Sequence, residues 1–216
     1  MPVYNALIAG IGGQGAITLG AFFKKAALKA GIRVSGSERR GGAQREGHVS
    51  SIIRYQWNEN GQGSDERRDV CSPMLPAGSA NLLIGLEPLE AARLARYLND
   101  ATTVILNSFP LLPIPVKLDK AEYPPTEVIV EMIGRLTRHI YVWDLTGIAR
   151  EHFGHSLAMN AVSLGIASRL VSLPVSESHL LAALEEEGRP EDIKCFRLGI
   201  DLADEEKRRK KDGAQP

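Results

Sequence analysis

The chain has little cysteine. Only Cys71 and Cys195 occur among its 216 residues, and they stand 124 positions apart. An iron–sulfur cluster is generally held by a set of closely spaced cysteine thiolates, so this chain is not expected to bind a cluster by itself. A disulfide is disfavoured in a reducing compartment. Both cysteines are therefore expected to be ordinary thiols.

The sequence also lacks an excess of either charge and any long apolar run. Lys+Arg and Asp+Glu both number 26, so no global field steers the chain toward nucleic acid or an anionic membrane. The longest apolar stretches, Leu82–Leu86 and Val104–Leu106, are strand-sized. The start at Met1–Tyr4 lacks the basic and apolar regions of a secretory signal. We expect a cytoplasmic protein with neither nucleic acid nor membrane as partner.

Strand-like and helix-like segments alternate along most of the chain. Periodicity predicts strands at 4–9, 32–35, 49–57, 81–86, 102–107 and 139–144, with a short strand at 116–118. Helices are predicted at 14–30, 87–98, 126–138, 148–152, 156–170, 176–187 and part of 191–211. This alternation indicates an α/β fold, a Rossmann-like and mostly parallel sheet with helices on both faces and a helical C-terminal region.

A glycine-rich motif follows the first predicted strand and opens the first predicted helix. It satisfies G-x-G-x-x-G through Gly10, Gly12 and Gly15, with Gly13 and Gln14 between them. Glycines permit a tight turn, and the free N–H groups of the first helical turn favour phosphate or carboxylate. Glu38 stands 23 residues after Gly15, near the spacing of an acid that holds a ribose. The residues leave three interpretations open: NAD(P) or FAD, another anion, or a loop that only packs.

A second polar segment follows the predicted strand at 32–35. Residues 36–47 have no periodicity and are predicted to form a loop at the carboxyl edge of the sheet, beside the glycine motif. Arginines and flexible glycines could wrap an anionic group or form a polar subunit interface there. The candidate residues of this segment are Ser37, Glu38, Gly41, Gln44 and Arg45.

These two segments together resemble a known family. The paired Gly-Gly-Gln-Gly at 12–15 and Ala-Gln-Arg at 43–45 are similar to the small (β) subunit of indolepyruvate:ferredoxin oxidoreductase, which belongs with the γ chain or domain of the pyruvate/2-oxoacid:ferredoxin oxidoreductases. The stretch 86–91 and Asn160 with Leu164-Gly165 resemble further family motifs. The resemblance runs to about residue 170. It implies a γ-type catalytic domain at 1–175. Helical periodicity and the charge run beyond it predict a helical extension at 176–216 with a charged, disordered tail.

The resemblance implies an enzyme subunit that is inactive alone. The family decarboxylates a 2-oxoacid on thiamine diphosphate, passes electrons through Fe4S4 clusters to ferredoxin and releases an acyl-CoA, so thiamine diphosphate, magnesium and clusters are expected on a large partner subunit and CoA as co-substrate. Consistent with this, the chain has no Gly-Asp-Gly…Asn magnesium-diphosphate motif. No cofactor, metal ligand or catalytic residue is then assigned to this chain.

In this interpretation, the residues at the junction with the large subunit shape the pocket and hold an anionic group. They are Gly10, Gly12, Gly13, Gln14, Gly15, Ser37, Glu38, Gly41, Gln44 and Arg45. His152 and His155 are expected to be structural, because no third metal ligand is near them in sequence. The alternatives are a stand-alone NAD(P)- or FAD-binding oxidoreductase and a non-catalytic module that binds a nucleotide or CoA.

Overall fold

The computed structural model of the chain describes residues 2–41, 47–57, 72–112, 114–118 and 121–212. Six strands form one sheet: β1 Val3–Ile11, β2 Arg33–Arg40, β3 His48–Gln56, β4 Leu82–Gly85, β5 Thr103–Asn107 and β6 His139–Trp143. The α-helices are α1 Ala16–Lys29, α2 Pro88–Arg93, α3 Ile114–Lys117, α4 Thr126–Gly134, α5 Leu145–Phe153, α6 Met159–Leu170, α7 Glu177–Glu187 and α8 Asp192–Asp212. None of the described helices has both the length and the apolar character needed to cross a membrane.

The sheet is mixed but mostly parallel, as predicted. Its strand order is β2-β3-β1-β4-β5-β6, and only β3 runs against its neighbours among the described strands. The central strands β1 and β4 are apolar and buried because helices cover both faces of the sheet. The hydrophobic core on one face of the sheet is formed with α1, α5, α6, α7 and α8. The core on the other face is formed with α2 and α4. The predicted fold class is confirmed.

The predicted loop at 36–47 is wrong over its first part, because β2 continues to Arg40. Strand β2 lies at the sheet edge and pairs antiparallel with β3, from Arg33 opposite Gln56 to Arg40 opposite Val49. Both faces of its second half are largely exposed, so the sequence carries no apolar alternation there. The same hairpin inserts β3 between β2 and β1, so the two strands that flank α1 in sequence are not adjacent in the sheet.

Two further predictions about secondary structure are wrong in detail. Residues 116–118 were expected as a strand, but the helical turn α3 occupies Ile114–Lys117. Proline is accepted in the first turn of a helix, where its missing N–H has no partner to lose. The helix predicted at 126–138 ends at Gly134, since Thr137 turns back to donate from Oγ1 to the Thr102 carbonyl at 2.5 Å.

The C-terminal helices pack on the α1 side of the sheet. Helix α7 lies on α1, where Lys25 and Lys29 hold Glu186 at 2.5 and 2.6 Å. Helix α8 lies on α6, and the charged run at 205–211 forms its final turns. The domain boundary after residue 175 stays a prediction.

Helices α6 and α8 cross at a pair of glycines. A Cβ at Gly165 would collide with the carbonyl oxygen of Phe196, and one at Gly199 with that of Val162. The two backbones therefore touch with no side-chain layer between them. Since both obstacles are backbone atoms, they cannot move aside as a flexible side chain would.

We predict that Gly199→Ala lowers the free energy of unfolding by about 1–3 kcal/mol, because the added methyl group overpacks this crossing. Chemical denaturation measures the change. Gly134→Ala is the control, since a Cβ at this exposed helical glycine meets no atom within 4 Å. It should be neutral or stabilising by less than about 1 kcal/mol. Equal effects of the two variants would contradict the crossing geometry.

Candidate functional site

The carboxyl ends of β1 and β4 form the point where the connections of the sheet diverge. Helix α1 follows β1 on one face of the sheet, and α2 follows β4 on the other. Because β1 and β4 are adjacent and parallel, a crevice opens between the two connections. Ligands of open α/β sheets bind in such crevices.

The glycine motif lies in this crevice, at the N-terminus of α1. Gly13 has φ 99° and Gly15 has φ 83°, conformations that glycine adopts without strain. Gly15 is the N-cap of α1, and no side chain of the described residues caps the first turn. The N–H groups of that turn are thus available to an external acceptor. The geometry suits a phosphate or carboxylate.

At two positions of the motif, neighbouring atoms approach the backbone so closely that only glycine fits. A Cβ at Gly10 would lie 2.9 Å from Gln14 Oε1 and 3.2 Å from the Leu86 Cβ. A Cβ at Gly15 would collide with the side-chain amide of Asn160 on α6. The Gly12 N–H donates to the Gly47 carbonyl at 2.9 Å, which joins the loop to the chain entering β3. In contrast, a Cβ at Gly13 meets no atom within 4 Å.

Gln14 holds the glycine loop to the neighbouring strand. Its Oε1 accepts from the Ile11 N–H at 2.7 Å, and its Nε2 donates to the Leu86 carbonyl at 2.9 Å. The side chain therefore bridges the ends of β1 and β4. Both of its polar atoms are engaged within the protein, so Gln14 fixes the shape of the loop.

A polar network continues from Gln14 along the carboxyl edge. The Leu86 carbonyl also accepts from Asn107 Nδ2 at 2.8 Å, and Asn107 Nδ2 lies 2.9 Å from Thr146 Oγ1 at the start of α5. Asn160 Nδ2 donates to the Gln14 carbonyl at 2.9 Å. Asn160 Oδ1 is buried and has no partner among the described residues. The network thus leaves one acceptor unused beside the loop.

The N-terminus of α2 is already occupied by a carboxylate of the chain. Glu87 is its N-cap and accepts from the Glu90 N–H at 2.9 Å, while Tyr123 donates to the other carboxylate oxygen at 2.5 Å. Burial raises the pKa of the fully buried Glu87 above its usual value. The N-terminus of α2 therefore already has an acceptor from the chain, whereas the N-terminus of α1 has no side-chain cap among the described residues.

A histidine–glutamate pair flanks the glycine loop on the β3 side. His48 pairs with Ile11 across the β1–β3 ladder, and its Nδ1 contacts Glu90 Oε2. Glu90 is buried and also lies 3.4 Å from Arg93 Nε. His48 is therefore hydrogen-bonded, as a histidine at an ordinary structural position would be.

The structure does not bring Ser37 and Glu38 to the glycine loop. Both lie on β2, two strands from β1, and Glu38 is level with Ile8, well before the loop. Glu38 accepts from Lys24 at 3.0 Å, whereas Ser37 points to the opposite face and donates to the Pro73 carbonyl at 3.3 Å. Because alternate strand residues face opposite sides, these two cannot share one ligand.

Gly41 lies nearer the loop than Ser37 and Glu38. Its N–H bonds to the His48 carbonyl at 2.6 Å, at the level where His48 adjoins Ile11. Gln44 and Arg45 lie outside the described residues, as does Cys71. Their assignment to the junction stays a prediction.

Several residues of this edge were not singled out from the sequence. Asn107, Glu87 and Thr146 each follow or end a predicted strand, a position that reaches the carboxyl edge. That signal could have identified them. Asp144 occupies a similar position, but its Oδ1 accepts from the Gly147 N–H at 2.7 Å and caps α5.

The remaining titratable candidates have structural environments. His155 lies 3.5 Å from Glu191 and 3.2 Å from Arg189. Cys195 is buried, and burial raises the pKa of its thiol to about 11. Such a thiol is almost wholly protonated at neutral pH and therefore a poor nucleophile.

Comparison with known proteins relates the chain to one protein family. The family model described as pyruvate ferredoxin/flavodoxin oxidoreductase matches residues 5–202. Indolepyruvate oxidoreductase subunit IorB of Archaeoglobus fulgidus is 32% identical over 203 residues, which cover 92% of this chain and 94% of the relative. The subunit of the same name from Pyrococcus horikoshii is 30% identical over 210 residues, covering 95% and 98%.

Solved structures share the fold. The γ subunit of a keto/oxoacid ferredoxin oxidoreductase from Geobacter sulfurreducens has a TM-score of 0.62 and 19% identity, covering 93% of this chain and 98% of that one. The 2-oxoglutarate:ferredoxin oxidoreductase of Magnetococcus marinus, solved with 2-oxoglutarate, coenzyme A and succinyl-CoA bound, has a TM-score of 0.67 and 18% identity. That match covers 94% of this chain and 31% of the other.

We predict that Gln14→Glu lowers the free energy of unfolding by about 1–3 kcal/mol at neutral pH, because a carboxylate keeps the bond from Ile11 but presents an oxygen, with no donor, to the Leu86 carbonyl. Chemical denaturation measures the loss. Glu185→Gln, an exposed change between the same two residue types, is the control and should change stability by less than about 0.5 kcal/mol. A Gln14→Glu variant as stable as the wild type would contradict the bridging role.

Proposed function

Because the chain belongs to the pyruvate ferredoxin/flavodoxin oxidoreductase family, we propose that it is the small subunit of an indolepyruvate-type 2-oxoacid oxidoreductase. The reaction cleaves the bond between the carboxylate and the oxo carbon of a 2-oxoacid and releases carbon dioxide. The acyl group passes to the CoA thiol, and a pair of electrons passes to ferredoxin. The observation that carries the proposal is identity of 30–32% to IorB subunits over nearly the whole chain.

The chemistry belongs to a large partner subunit. It would carry the thiamine diphosphate, the magnesium ion and the Fe4S4 clusters, and the thiamine supplies the carbanion chemistry of decarboxylation when bound. The described residues of the small chain include no group of three or more His, Cys, Asp or Glu side chains that could hold a metal ion. The role of this chain is to complete the assembly.

The glycine loop is the part of this chain that would face the partner's active site. The uncapped N-terminus of α1 attracts an anion, and Gln14 and Asn160 hold the loop in one shape. A preformed array of N–H groups loses little entropy when it binds a charged group. The loop residues Gly12, Gly13 and Gly15 therefore position an anionic group of a substrate or of the partner, with no proton transferred by this chain.

A nucleotide-binding oxidoreductase that acts alone is the second candidate, and the position of Glu38 disfavours it. An acid that holds a ribose must lie beside the glycine loop. Glu38 instead pairs with Lys24, in the middle of α1. The crevice thus lacks the acid that prompted this alternative.

We predict 2-oxoacid-dependent reduction of viologen only when the chain is mixed with its large subunit. The two proteins should co-purify, and the large one should be brown from its clusters. The small chain alone should be colourless and inactive, because it lacks the electron carriers. Full activity of the isolated chain, or no association with a cluster-bearing protein, would contradict the proposal.

We predict that Gly13→Asp lowers kcat/KM of the mixture about tenfold or more relative to Gly13→Asn, because a carboxylate at the α1 N-terminus repels the anionic group. The two side chains have nearly the same shape and share the strain of a positive φ, so their difference isolates charge. Steady-state assays at several concentrations of 2-oxoacid and CoA measure it. Equal activities of the two variants would mean that no anion binds at this loop.

A further inference from the structure

Strand β6 ends the sheet with an open edge. Beyond it the described residues provide no further strand. The Trp143 carbonyl accepts from the Ser108 N–H at 2.8 Å, on the inner side. Because the backbone groups of successive strand residues point to opposite sides, those of Ile140 and Val142 point outward. Such an edge is a template for another strand.

Apolar side chains are exposed on one face beside this edge. Val128 and Met132, one turn apart on α4, are 53% and 40% exposed, and Leu136 just after the helix is 39% exposed. Val142 on β6 is 39% exposed. It shares a face with Ile140, which packs in the same core as α4. An open strand edge bordered by exposed apolar side chains indicates a protein interface.

The other face of the edge is basic. Lys210 on α8 lies 3.6 Å from the centre of the Tyr141 ring, so the final turns of α8 reach β6. A groove of about 670 Å³ lies between them and Arg169. Asp204 neutralises Arg169 at 2.9 Å. The groove is otherwise lined by Lys207, Arg208, Lys210 and Lys211. Glu206 lies 3.8 Å from Lys210 Nζ, so cations outnumber carboxylates on this surface.

We propose that the open edge of β6 and the basic end of α8 form the docking surface for an extended, acidic and partly apolar segment of the large subunit, which adds to the sheet as a strand. The inference rests on the proposed function. Strand addition would satisfy the outward backbone groups of Ile140 and Val142. Acidic side chains of the added strand would face α8, and apolar ones would cover the exposed Val128, Met132 and Leu136.

Charge disfavours a second copy of this chain as the occupant. Two β6 strands paired antiparallel about Tyr141 would bring both α8 ends to the same face of the joined sheet. The two basic runs would then oppose each other, and like charges across an interface are unfavourable. A segment of opposite charge avoids this repulsion. The exposed apolar side chains of α4 favour a permanent subunit over a transient electron carrier, because permanent interfaces are more hydrophobic than transient ones.

Val142→Pro tests strand addition. Proline removes the outward N–H of Val142 and leaves the β5–β6 ladder intact, as is tolerated on an edge strand. We expect the Kd for the purified large subunit to rise about tenfold or more. Val142→Ile keeps the N–H, the branching at Cβ and the apolar surface, so it should lose much less affinity than Val142→Pro. Thermal unfolding of the isolated chains verifies that each variant is folded.

A charge reversal tests the basic face and leaves the backbone of β6 unchanged. Lys210→Glu with Lys211→Glu should weaken binding about tenfold and reduce its dependence on salt. Lys194→Glu with Arg197→Glu is the matched control, since these exposed cations lie in the first turns of the same helix. It should leave the Kd unchanged.

The outcomes separate this inference from the proposed function. If the wild type fails to bind the large subunit, the proposed function is wrong. If the wild type binds and both β6 and α8 variants bind equally well, only the docking surface is wrong. A wild-type chain that is dimeric by sedimentation and becomes monomeric with Val142→Pro would assign the edge to a second copy and overturn the inference.

Discussion

The Leu86 carbonyl joins the parts of the molecule that build the candidate site. It accepts from Gln14 on the glycine loop and from Asn107 at the end of β5. Asn160 then links the loop to α6. A carbonyl at a strand end has no ladder partner of its own, so two side-chain amides satisfy it. Because buried hydrogen bonds are costly to leave unmade, the loop, two strands and a core helix hold one another in register.

Regular periodicity made the core of the fold predictable. Strands β1, β3, β4, β5 and β6 lie where apolar runs indicated them, and α1 follows from its apolar face of Leu19, Phe22 and Phe23. Apolar periodicity does not predict a polar strand at the edge of a sheet. The second half of β2 buries little, so its pairing with β3 depends on backbone hydrogen bonds that leave no apolar alternation in the sequence. Spacing along the chain could not show that β3 would insert beside β1.

The candidate site was predictable where local geometry determines it. Glycines before a helix imply a loop with free N–H groups, and the structure has that loop. Glu38 shows the limit of spacing as an argument. Its distance from Gly15 along the chain fits a ribose-binding acid, but the hairpin carries it two strands away. Asn160, 146 residues from Gln14, contacts the loop only because α6 packs beneath it, a tertiary relation that no local pattern contains.

The glycine crossing of α6 and α8 has a mechanical consequence. Helix α6 begins beside the glycine loop at Asn160, and α8 extends from the crossing to the sheet edge at Tyr141. Backbone in direct contact with backbone has no pliable layer that could absorb a displacement. The crossing therefore fixes the position of the basic end of α8 relative to the helix that carries Asn160, so the sheet edge and the glycine loop are held in one framework.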